Sequence, residues 1–99
     1  MAIIDLAGAK VYLRVDGDDF NTDVQRAMAS AEVYLKVYTG KDFSGRDPLA
    51  VECALMMTSQ FYENRGGETE TRFRAMDLGI QGLLVTLSAM TPVPEPEAP

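Results

Sequence analysis

Ninety-nine residues, 46% hydrophobic and 24% charged, suffice for one folded domain and are too few for several. A formal net charge of −6, with the nine basic residues scattered, argues against gripping a phosphate backbone, which needs clustered Lys and Arg. The chain has no histidine and a single cysteine, Cys53, so the commonest general base, the commonest metal ligand and an internal disulfide are excluded together. A first short helix is expected from Asp5 to about Arg14, with Leu6, Ala9 and Leu13 on one face and Asp5 as its cap or dipole partner. Gly8 weakens it by about 1 kcal/mol relative to Ala, so packing must hold it.

Asp16-Gly17-Asp18-Asp19 reads as a turn. The second helix has two possible starts, either a cap at Asp18 or Asp19 or a capping box of Thr22 with Gln25. Val24, Met28, Ala31, Leu35 and Tyr38 recur at alternating spacings of four and three, a packed stripe too short for a long coiled coil. Glu32 and Lys36 stand four apart in the favourable order, and Gly40 is the natural left-handed stop. Asp47-Pro48 is a start signal, a capping Asp before a first-turn Pro, for a third helix running to about Arg65 and ended by Gly66-Gly67. Its main stripe is Val51, Ala54, Leu55, Thr58, Phe61 and Tyr62, and Cys53, Met56 and Met57 make it apolar nearly all round, as a central helix is.

Residues 67–76 are polar and lack helical periodicity, with Thr69 to Arg74 alternating as an extended segment or an ordered loop would. A fourth helix is expected from Asp77 or Leu78 to about Met90, with Ile80, Leu83, Leu84 and Leu87 on one face. From Thr91 the Pro- and Glu-rich sequence reads as an extended, solvated tail, dispensable for folding. The expected architecture is therefore all-α, a compact bundle of about four helices over residues 1–90 with a disordered tail over 91–99. The start of the chain has no basic, apolar leader pattern and no apolar run nears the roughly 20 residues of a membrane span, so the expectation is a protein cytosolic when made.

Few groups invite chemistry. The acidic turn at Asp16 fails the calcium-loop pattern, with Phe20 fifth, Asn21 where Gly belongs and Ala27 where Glu belongs. Cys53 lies in the most apolar stretch of its helix, whereas a reactive thiol wants an exposed, electropositive setting. Gly66-Gly67 lacks the Lys-Ser/Thr of a phosphate loop. Met28, Met56 and Met57 fall on or beside core stripes, as core filling requires. Glu63 sits in the last turn of its helix, where the dipole disfavours an acid. Either a cation such as Arg65 or one from another chain answers it, or it is a tolerated surface acid. Arg72-Phe73-Arg74 sets an aromatic between two forked cations, a composition that contact sites favour, although a buried Phe between solvated arginines reads equally well. Glu63, Arg65, Arg72, Phe73 and Arg74 are the candidate protein-interface residues, with no catalytic, metal or cofactor residue expected.

The order of features resembles the small head-tail connector (adaptor) family of tailed bacteriophages. That family opens with a helix ending in a Lys-x-Tyr-Leu-Arg-hydrophobic-Asp run, here Lys10-Val11-Tyr12-Leu13-Arg14-Val15-Asp16. Its next helix ends in Ala-x-x-Tyr-hydrophobic-x-x-Tyr-Thr-Gly-basic, matched by Ala31, Tyr34, Leu35, Tyr38, Thr39, Gly40 and Lys41. A Pro-started apolar helix ending in aromatic-Tyr-Glu-Asn-Arg follows, matched from Phe61 to Arg65, and a last helix carries hydrophobic-x-x-Leu-Leu, matched by Ile80, Leu83 and Leu84. The resemblance spans about residues 3 to 87. It implies a non-enzymatic virion protein without cofactors, forming a ring on the portal at the head-tail junction. Its implied partners are the portal, copies of itself and the next neck or tail protein, with DNA only as passing cargo and no membrane. Two other classes fit an all-α chain of this size, a small helical DNA-binding regulator, which the charge opposes, and a generic helical protein-binding module.

Overall fold

The computed structural model describes residues 3–63 and 78–94, and among these all regular structure is helical. The first helix, α1 (Leu6–Leu13), begins where Asp5 accepts the Gly8 N–H at 2.7 Å. A Cβ on Gly8 would stand 2.9 Å from that same carboxylate oxygen, so the residue that weakens the helix on propensity is the one its cap requires. The helix closes on Arg14 in the left-handed region, φ 59°, a conformation a non-glycine residue adopts at a cost. Lys10 then ties the following turn by donating to the Gly17 carbonyl and to the Asp18 carboxylate.

The second helix, α2 (Asn21–Thr39), starts without either expected cap. Phe20 holds the cap position and offers no side-chain acceptor. The Asp18 carboxylate instead takes Lys10 Nζ at 3.3 Å and Asn21 Nδ2 at 3.2 Å, and Thr22 already lies inside the first turn. Asp23 still complements the dipole there. At the other end Gly40 adopts φ 69° and donates to Lys36 O at 2.7 Å, a left-handed stop as the sequence signals. The expected Glu32–Lys36 pair gives way to three longer-range bonds. Glu32 Oε2 accepts the Ile3 and Ile4 amides at 2.7 and 3.4 Å, and Lys36 pairs with Asp42 at 2.7 Å.

Pro48 is the first residue of α3 (Pro48–Glu63), as its fixed φ favours. Asp47 precedes it, but its carboxylate caps no helical amide: Oδ2 accepts from Ser44 N and Oδ1 from Val93 N. The fourth helix, α4 (Leu78–Ser88), buries Ile80, Leu84 and Leu87. The expected ends at Arg65, at Gly66-Gly67 and the extended stretch from Thr69 to Arg74 lie outside the described residues.

The principal packing is α2 on α3, with α4 lying against both and α1 touching both. The residues that α2 buries are Val24, Ala27, Ala31 and Leu35, and those that α3 buries are Ala50, Cys53, Ala54, Met57, Thr58 and Phe61. The alanines let the two helices approach closely, and Leu35, Met57, Leu84 and Leu87 supply the bulk. Compared with the expected stripes, the buried line is turned. On α2, Ala27 is buried while Met28 is half-buried and Tyr38 exposed. On α3, Ala50, Cys53 and Met57 are fully buried while Val51, Leu55 and Tyr62 are only half-covered. Thr58, buried as expected, satisfies its hydroxyl by donating to Ala54 O at 2.7 Å. Beyond α4 the solvated tail expected from Thr91 meets a fixed point, because Val93 N donates to Asp47 at 2.7 Å. Residues 95–99 of that tail lie outside the described residues.

Candidate interface surfaces

Helix α3 delivers Glu63 to its exposed end. Arg65, Arg72, Phe73 and Arg74, the remaining candidate interface residues, lie outside the described residues. The described surface adds apolar groups that stripe analysis leaves out. Val33 and Val37, four apart on the outer side of α2, are 63% and 77% exposed. Val11 on α1 is 79% exposed, and Val85 on α4 is also exposed. Their spacing was readable, but a pair of valines on a helix is equally a core signal, and only the packed partner shows which side faces out.

Beside Val33 the surface forms a hollow of about 240 Å³ between α2 and the loop that follows it, floored by Ile3, Leu35 and Phe43. Its rim carries Lys36 and Asp42, whose ion pair holds the Asp42 carboxyl below its ordinary value, the hydrogen bond from Lys36 first and its charge second. These charges offset one another, so the hollow favours neither sign of ligand.

Three of the residues that carry the sequence resemblance, Tyr34, Tyr38 and Phe61, meet in the fold. Tyr34 stacks on Tyr38 with ring centroids 6.3 Å apart and tilts against Phe61 at 6.4 Å, so two separate motifs close one aromatic group across the α2–α3 seam. Lys10 and Gly40 stand at the two turns described above. Tyr12, half-exposed on α1, has its phenol pushed up by burial and then by the Glu52 carboxylate on α3.

Chemically reactive groups are few in the described part. Cys53 is fully buried, with Sγ 3.7 Å from Met57 Sδ, and burial pushes its thiol up to about 11. A thiol so placed stays protonated near neutrality and behaves as a small core residue. Among the described residues no three His, Cys, Asp or Glu side chains converge as a metal site, and no helix is long and apolar enough to cross a membrane.

No family model matches the chain, and no curated protein or solved structure matches it.

Proposed function

We propose that the chain is a non-enzymatic structural protein of a tailed-phage virion, forming a ring on the portal at the head-tail junction. In this reading the ring extends the DNA channel and offers a platform to the next neck or tail protein, after assembly in the host cytoplasm. The observation that carries it is the order of four motifs over residues 3 to 87. Physical features support it. Motif residues occupy joints of the helical frame, Lys10 at the first turn, Tyr34, Tyr38 and Phe61 at the α2–α3 seam and Gly40 at the α2 stop. A net charge of −6 suits a wall that lets DNA slide past without gripping it. A domain of this size has a modest core, so lateral contact between copies adds stability and a head-to-tail contact closes into a ring. Exposed Val33 and Val37, together with Glu63, Arg65, Arg72, Phe73 and Arg74, are the groups assigned to portal or neighbour contacts.

The test is electron microscopy of DNA-filled heads assembled with the protein. The expected result is a closed ring of copies on the portal vertex. Isolated single copies there, or tight binding of the free protein to duplex DNA with a steep salt dependence, would overturn the reading.

A further inference from the structure

The described chain ends in Thr91-Pro92-Val93-Pro94, and the two prolines leave Val93 as the only amide donor from Pro92 to Pro94. That single N–H is spent on Asp47 Oδ1 at 2.7 Å, across 46 residues of sequence. Asp47 is only 3% exposed, and its other oxygen holds Ser44 N at 2.9 Å. A second anchor stands nearby in sequence. Lys41 Nζ donates to Ser88 O and Met90 O, both at 2.6 Å, and so satisfies carbonyls left open at the end of α4.

The two anchors do different work. Lys41 holds the end of a helix whose Leu84 and Leu87 are buried in the core, so that contact cannot part without disturbing α4. Asp47 holds a segment in which Thr91, Val93 and Pro94 are exposed and Pro92 half-buried. Little apolar surface is lost if that segment lifts, and the vacated carboxylate oxygen is then open to water while Ser44 keeps the other. We propose that residues 91–94 form a strap that opens and closes about the Thr91–Pro92 link with the four helices intact, latched by the Val93 amide on Asp47. Closed, the strap covers the Asp47 carboxylate. Open, it frees an extended Pro-rich arm and exposes an acidic acceptor at the start of α3.

Amide hydrogen exchange followed by NMR on the full chain tests it. The Val93 amide is expected to be protected roughly tenfold over an unstructured peptide, and the core amides of Leu35 and Met57 by orders of magnitude more. Val93→Pro removes the donor and keeps an extended backbone, so the folding equilibrium constant is expected to fall by the same factor as the Val93 protection, within about threefold, because the variant is left in the open form. No protection at Val93 would mean no latch. Protection equal to that of Met57 would make the segment part of the cooperative core. A Val93→Pro variant as stable as the parent, or one destabilised far beyond the protection factor, would each overturn the latch as well.

Discussion

The seam between α2 and α3 and the two ends of the described chain are held by different physics. At the seam, Ala27, Ala31, Leu35, Cys53, Ala54 and Met57 are buried apolar groups whose attraction is spread over many weak contacts. At the ends, single charged side chains grip backbone atoms: Glu32 takes the amides of Ile3 and Ile4, Lys41 the carbonyls of Ser88 and Met90, and Asp47 the amide of Val93. The difference teaches where cooperativity stops. Dispersed burial yields only when the whole domain opens, whereas a point bond can break alone and be replaced by water.

The largest effect should come from the seam. Leu35 is 1% exposed, and Leu35→Ala leaves a cavity that the surrounding alanines cannot refill, with an expected loss of about 3 kcal/mol in denaturant unfolding. A loss below about 1 kcal/mol would show that α2 and α3 are not the joint of the fold. Asp47→Ala should follow at about 2 kcal/mol, since it removes two charge-assisted bonds and strands the buried Ser44 amide. It should exceed the effect of Val93→Pro, which spares Ser44. Equality of the two would mean that the Ser44 bond contributes nothing and that the loop holds itself.

How much of this was legible in the sequence divides along the same line. The helices, the left-handed stop at Gly40, the Asp5 cap and the buried Cys53 follow from local periodicity and turn chemistry, which need only neighbours within a few residues. Local rules pair Glu32 with Lys36 and make the Asp47 side chain the α3 cap, because they see only the nearest partner. The actual partners of these two carboxylates are backbone atoms, which carry no residue-type signature: the Ile3, Ile4 and Val93 amides lie 28 to 46 residues away, and the Ser44 amide lies three residues before Asp47. The turned stripes have a related cause. Ala27 and Ala50 are buried because the helices approach closely there, and a small residue advertises such an approach only weakly. The interface candidates Arg65, Arg72, Phe73 and Arg74 rested on composition alone and lie outside the described residues.

Gly40→Ala sharpens the comparison from a third side, because it tests neither burial nor a side-chain bond. No atom stands within 4 Å of the Cβ that an alanine would add, so the cost is the left-handed backbone alone, about 1 kcal/mol. The measurement is the denaturant midpoint with an unchanged m-value. A larger cost would mean that the turn after α2 positions Lys41 and Asp47 more tightly than its open surroundings suggest.

The smallest effect is expected at the Lys36–Asp42 pair, which looks like one more point bond and should behave as none. Its 2.7 Å separation matches the Ile3–Glu32 bond, but the two side chains are 65% and 81% exposed, so water and salt screen the attraction and two flexible chains must be ordered to make it. The Asp42 carboxyl is held below its ordinary value of 3.8 by Lys36, so its contribution is present above that pH and fades as the pH falls below it. Asp42→Asn should therefore leave the unfolding midpoint at pH 7 unchanged within error, and should not alter its dependence on salt. The variant and the parent should converge fully under acid, where the parent's carboxyl is protonated as well. A clear loss at pH 7 that disappears at low pH would place this pair among the true anchors, and would make the rim of the hollow beside α2 a fourth point at which charge fastens the fold.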